Sequence, residues 1–128
     1  MKKKVLIVVS DYYKDIAKAL LKSTKKFLDK KTKLKIVKVP GVFEIPVIIS
    51  KNIKKFDGFV AIGCVIRGKT AHFDLISKSV IDAIMYLSVD NKKPVGNCIL
   101  TCFNYKQALQ RKNKGKEAAL AINTILYK

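Results

Sequence analysis

The sequence predicts an α/β fold in which a four-stranded parallel sheet carries helices on both faces. Three observations lead there. Short apolar runs rich in β-branched residues recur along the chain, segments of helical period fill the spaces between them, and the two alternate four times. At 128 residues the chain can bury about two thirds of its unfolded surface around one core, and residues 1–128 are expected to form one domain. No internal repeat, low-complexity tract or linker interrupts the pattern.

The run KVLIVVS (4–10) is apolar on both parities, as a strand covered on both faces must be. In YKDIAKALLKSTKKFLDK (13–30), Ile16, Leu20, Ser23 and Phe27 fall at i, i+4, i+7 and i+11 on one helix face. KLKIVKVPG (33–41) alternates as a strand and stops at the turn Pro40-Gly41. FEIPVIISKNIKKF (43–56) reads as a helix, because Pro46 sits near its start, where a missing N–H is tolerated. DGFVAIGCVI (57–66) is the most apolar run and is expected at the centre of the sheet. FDLISKSVIDAIMYLS (73–88) lines up Phe73, Ile76, Val80, Ile84 and Leu87 on one stripe, and KPVGNCILT (93–101) is the fourth strand. From Tyr105 the chain is helical again, broken near RKNKG, where Gly115 is expected to permit a turn before KEAALAINTILYK.

Composition narrows the function. Lys and Arg number 27 against nine acids, a net charge of +18. The lysines are spread over nearly every segment, with short clusters at 2–4, 30–35, 54–55 and 112–116 and no basic-aromatic platform for single strands, so the charge reads as a solvated surface rather than a nucleic-acid groove. Hydrophobic residues reach 49% although 28% are charged, more apolar content than a monomer of this size readily hides, which points to an oligomer. Cys64, Cys98 and Cys102 form no even-paired framework and no zinc spacing, and reduced thiols packed as small hydrophobes are expected. The apolar run after MKKK is five residues, too short for a signal core, and no stretch approaches a membrane span. A cytoplasmic protein is expected.

In parallel α/β sheets, ligands bind at the carboxyl ends of strands. The loops there are SDYY, PGVFE, RGKTAH and NCILTCFN. In RGKTAH, the N–H groups of Lys69 and Thr70 are expected to be free at the start of a helix, a place suited to a phosphate, although an ordinary threonine cap would give the same residues. His72, the sole histidine, follows two residues later and is a candidate for proton transfer. Glu44 could cap its own helix or accept from substrate hydroxyls. Tyr12 or Tyr13 could cover a planar ring or simply pack.

Taken together, PGVFEIP, GCVIRGKTAHFDLIS, PVGNCILT and QALQRKNKG resemble the lumazine synthase family, in matching order from about Val5 onward. The resemblance implies a flavodoxin-like three-layer sandwich that assembles into pentamers with active sites between subunits, and a transferase of riboflavin biosynthesis. That family condenses 5-amino-6-(D-ribitylamino)uracil with 3,4-dihydroxy-2-butanone 4-phosphate to 6,7-dimethyl-8-ribityllumazine, phosphate and water, without metal or organic cofactor, and an association with riboflavin synthase is expected. By motif, Tyr12 takes the place of the ring-stacking aromatic. Val42, Phe43 and Glu44 match the ribityl-binding segment, and Cys64, Val65 and Ile66 the pyrimidine edge. Lys69 and Thr70 match the phosphate-binding helix start, and Arg111 the phosphate clamp lent by a neighbouring subunit. His72 would move protons, with Asp74 matching an acid that commonly follows it. Arg67, also in the motif, is assigned a structural or interface role.

Three departures stand out. Ala71 occupies a common proline position. Asn97, carried over as a substrate-binding residue, stands where many relatives place a phenylalanine. The stretch between Arg111 and NKG is shorter than in relatives that build sixty-chain shells, so a pentamer is favoured over a shell. Two other classes compete: a flavin- or lumazine-binding protein without catalysis, and a basic nucleic-acid-binding domain.

Overall fold

The computed structural model describes residues 2–127. Four strands, β1 (Lys4–Ser10), β2 (Lys33–Val39), β3 (Gly58–Ile66) and β4 (Val95–Cys102), form one parallel sheet in the order β2-β1-β3-β4. β1 and β3 therefore lie inside and β2 and β4 at the edges, which explains the unbroken apolar character of the two inner strands. Helices cover both faces. On one lie α1 (Lys14–Phe27), α4 (Tyr105–Gln110) and α5 (Gly115–Leu126), on the other α2 (Ile45–Lys51) and α3 (His72–Asn91). This is the flavodoxin-like three-layer arrangement expected from the sequence.

The pleat divides the core cleanly. Val5, Ile7 and Val9 of β1 face α1, where Ile16, Ala17 and Leu20 meet them, while Leu6 and Val8 face the opposite layer with Ile45, Ile49, Val80 and Ile84. β1 is buried from Val5 to Ser10.

Three boundaries differ from the sequence reading. α1 ends at Phe27 rather than Lys30, because Leu28 turns extended to bury its side chain and the Asp29 N–H finds Asn123 Oδ1 at 2.9 Å. The helix expected over 43–56 is a short 3-10 turn (Val42–Glu44) followed by α2, and the chain from Asn52 runs in turns. Pro46 does occupy its first turn. Gly115 does not make a turn through a left-handed backbone. It begins α5, and a Cβ there would lie 2.5 Å from the Leu20 carbonyl oxygen, so its small size is what lets α5 close on α1.

Candidate active site

In the order β2-β1-β3-β4, the chain leaves β1 toward one edge and returns past it to β3. The crevice between the carboxyl ends of β1 and β3 is thus the topological switch point, where a parallel sheet opens a ligand site. A cavity of about 370 Å³ lies there. Ser10, Tyr12 and Tyr13 come from the end of β1 and Gly41, Val42 and Phe43 from the turn after β2. Cys64, Val65 and Ile66 close β3, and His72 and Ile76 stand at the start of α3.

Each wall has a local cause. The turn after β2 is tied to β1, since the buried Ser10 hydroxyl donates to the Pro40 carbonyl at 3.5 Å. It can seat against the sheet because β3 carries glycine at 63, where a Cβ would meet Val42 Cγ1 at 2.5 Å. Glu44 Oε1 accepts from the Gly41 N–H at 3.0 Å, and the Glu44 N–H donates to the Gly41 carbonyl at 3.2 Å. One carboxylate oxygen therefore serves as the cap, and Oε2 accepts nothing among the described residues. Tyr12 is 74% exposed and meets Tyr13 edge-to-face, ring centroids 5.0 Å apart. That leaves the Tyr12 ring available to a planar partner.

The Cys64 thiol is pushed up to about 12 by burial first, with Cys102 adding to it. It is a neutral, inert wall of the cavity rather than a nucleophile. Burial likewise raises Tyr13, with Tyr12 and Cys64 contributing less, so its hydroxyl keeps its proton.

The helix after β3 begins later than the sequence suggested. α3 starts at His72, so Lys69 and Thr70 lie in the bend before it. Thr70 is the local cap, its hydroxyl accepting from the His72 N–H at 3.3 Å. The N–H groups of Lys69 and Thr70 make no hydrogen bond among the described residues. Neither side chain lines the cavity, but both are exposed beside its mouth. Asp74 is exposed in the first turn of α3. Arg67 stacks its guanidinium over Phe103, 5.6 Å from the ring centroid, which is a packing role.

Two predicted residues stand apart within one chain. Asn97 lies exposed on β4, its Oδ1 accepting from the Ile99 N–H at 3.0 Å. Arg111 follows α4 and lines a separate cleft of about 360 Å³ with Gln110 and Glu117. Ser10, Gly41 and Ile76 line the cavity but were not singled out as binding residues, and Tyr13, read beside Tyr12 as a ring-covering candidate, lines it as well. The signal for Ser10 was present in the sequence, as the polar residue ending a buried strand. Ile76 was read only as part of the core stripe. No group of three or more His, Cys, Asp and Glu side chains that could hold a metal ion occurs among the described residues.

A model of the 6,7-dimethyl-8-ribityllumazine synthase family matches residues 2–127. The chain belongs to that family. A 6,7-dimethyl-8-ribityllumazine synthase of Bartonella tribocorum is 42% identical over 94% of this chain and 87% of its own length. One from Bartonella henselae is 44% identical, covering 91% and 82%, and one from Corynebacterium kroppenstedtii is 36% identical, covering 92% and 79%. The lumazine synthase match thus spans the whole sheet, all the loops at its carboxyl end and the segment carrying Arg111.

Proposed function

We propose that this chain makes 6,7-dimethyl-8-ribityllumazine, condensing 5-amino-6-(D-ribitylamino)uracil with 3,4-dihydroxy-2-butanone 4-phosphate and releasing phosphate and water, as the penultimate step of riboflavin biosynthesis. The observation that carries this reading is the sole imidazole at the mouth of the switch-point cavity, in a chain that belongs to the lumazine synthase family. The ring of the pyrimidine substrate lies against Tyr12, with Cys64, Val65 and Ile66 along its edge. Val42, Phe43 and the free oxygen of Glu44 receive the ribityl hydroxyls. The phosphate sits at the unpaired N–H groups of Lys69 and Thr70, a backbone arrangement that favours an anion.

Holding an amine and a ketone in contact removes much of the entropic barrier to imine formation, so few catalytic side chains are required. His72 accepts and returns protons as water leaves, as phosphate departs and as the second amine closes the ring. Arg111 clamps the phosphate from a neighbouring subunit, since guanidinium forks suit phosphate oxygens. The oligomer this requires is supported by α3, where Leu75, Met85, Tyr86 and Val89 are exposed. A pentamer in the cytoplasm fits these features, with Asn97 facing the next chain's pocket. No helix among the described residues is long and apolar enough to cross a membrane.

The test is to mix purified protein with both substrates and follow lumazine fluorescence and phosphate release. Equimolar appearance of both is expected. Ligand binding without turnover would instead favour a flavin- or lumazine-binding protein.

A further inference from the structure

A cavity larger than the one beside His72 lies at the other end of the sheet. It measures about 590 Å³ and opens where β1 and β2 begin, beside the turns that follow α2. Five lysines rim it: Lys4 from β1, Lys33 and Lys35 from β2, and Lys54 and Lys55 from the turn before β3. All five are exposed, and none has a carboxylate partner among the described residues. Asp57, two residues after Lys55, accepts from the Lys4 backbone N–H through Oδ2 at 2.8 Å. The half-buried Leu34 and Phe56 line the same cavity. Asn52 completes the wall, its amide nitrogen donating to the Ile48 carbonyl at 2.8 Å. Asn52 Oδ1 accepts no hydrogen bond among the described residues.

We infer that this groove is a binding site for a nucleoside triphosphate, separate from the lumazine-forming cavity. Lysines converging from three segments repel one another, and a multivalent anion relieves that repulsion. Ammonium groups are compact point charges on flexible stems, and several of them can follow a flexible chain of phosphates. A bare anion would leave Leu34 and Phe56 uncovered. A heterocyclic base covers them, and an exocyclic amine on that base donates to Asn52 Oδ1. The volume falls in the range of pockets that enclose small organic ligands.

Calorimetric titration of the full chain tests this with ATP, inorganic triphosphate and adenosine as separate probes. ATP is expected to bind once per chain, more tightly than either fragment, and to weaken as salt is raised. The pair Lys54→Glu with Lys55→Glu should lower ATP affinity about tenfold or more while leaving lumazine formation in the absence of ATP unchanged. Triphosphate binding as tightly as ATP would overturn the nucleotide assignment. So would ATP binding that survives the charge reversals, or no binding at all at low salt.

Discussion

The two faces of the sheet are finished to different degrees. On the α1 and α5 face, small residues bring the helices close: Gly115, Ala118 and Ala119 of α5 are buried, and both the Ser23 and Thr24 hydroxyls donate back to the Leu20 carbonyl, at 3.1 and 2.8 Å. On the opposite face α3 runs for 20 residues and buries only Val80 and Ile84 fully. Its outer side shows Met85 at 61% exposure and Val89 at 68%. One face is closed more tightly within a single chain, although Leu120 and Ile125 of α5 are also exposed, whereas the other, which carries His72, fully buries only two residues of its longest helix. On the reading proposed above, the chemistry depends on a neighbour covering this second face.

The largest effect should come from breaking the unfinished face. Met85→Glu combined with Val89→Glu puts two charges into the surface proposed for subunit contact, without touching Val80 or Ile84. Analytical ultracentrifugation should show single chains in place of the oligomer, with helix content retained by circular dichroism. Activity should fall about 10³-fold, since half a site loses the positioning on which its rate depends. An unchanged oligomer would move the contact to another surface.

Breaking the finished face should cost stability instead. Gly115→Val forces side-chain atoms toward the Leu20 carbonyl and the Ser23 and Thr24 hydroxyls. Backbone and tethered hydroxyls yield little, so a loss of about 3 kcal/mol is expected in urea denaturation. A variant of native stability would mean that α5 can pivot off α1. His72→Ala, by contrast, leaves both cores intact and should lower kcat about 10²-fold, the common worth of one general acid-base group. Arg111→Ala should act mainly through the KM for the phosphorylated substrate, about tenfold. Equal loss of pyrimidine affinity in both variants would defeat this division of roles.

This asymmetry also decides what could be read from the sequence. β1 falls on residues 4–10 as its two-sided apolar run requires, and the stripe Ile16, Leu20, Ser23 points inward as its spacing predicts. Periodicity reports which residues are covered within the chain, so the finished face was legible. Why Gly115 is glycine was not, because the reason is a contact with α1, over ninety residues away in sequence. The site was half legible. Tyr12, Val42, Phe43, Cys64, Val65, Ile66 and His72 converge as the loops suggested, because each lies at or beyond the carboxyl end of a strand. The start of α3 at His72 was misjudged, since Thr70 caps through its side chain from outside the helix. Asn97 and Arg111 lie apart from the cavity within the chain, and their assignment came from the resemblance rather than from any local pattern.

The smallest prediction concerns the thiols, all three of which lie on the finished face. Burial pushes Cys98 up to about 12 from an ordinary 9.0, despite its contacts with Thr24 and Lys114, and Cys64 rises similarly. Both groups therefore keep their protons longer in the folded chain than in the unfolded one. Their contribution to stability is complete below about pH 9 and is lost as the pH climbs toward 12, at about 1.4 kcal/mol per pH unit for each thiol at most. Cys98 should contribute more than Cys64, which borders the cavity. Urea denaturation of Cys98→Ala across the alkaline range should show a shallower decline than the native chain, on top of a uniform loss from the smaller side chain. Parallel declines in the two proteins would assign the alkaline limb to tyrosines and lysines and remove any special role for burial on this face.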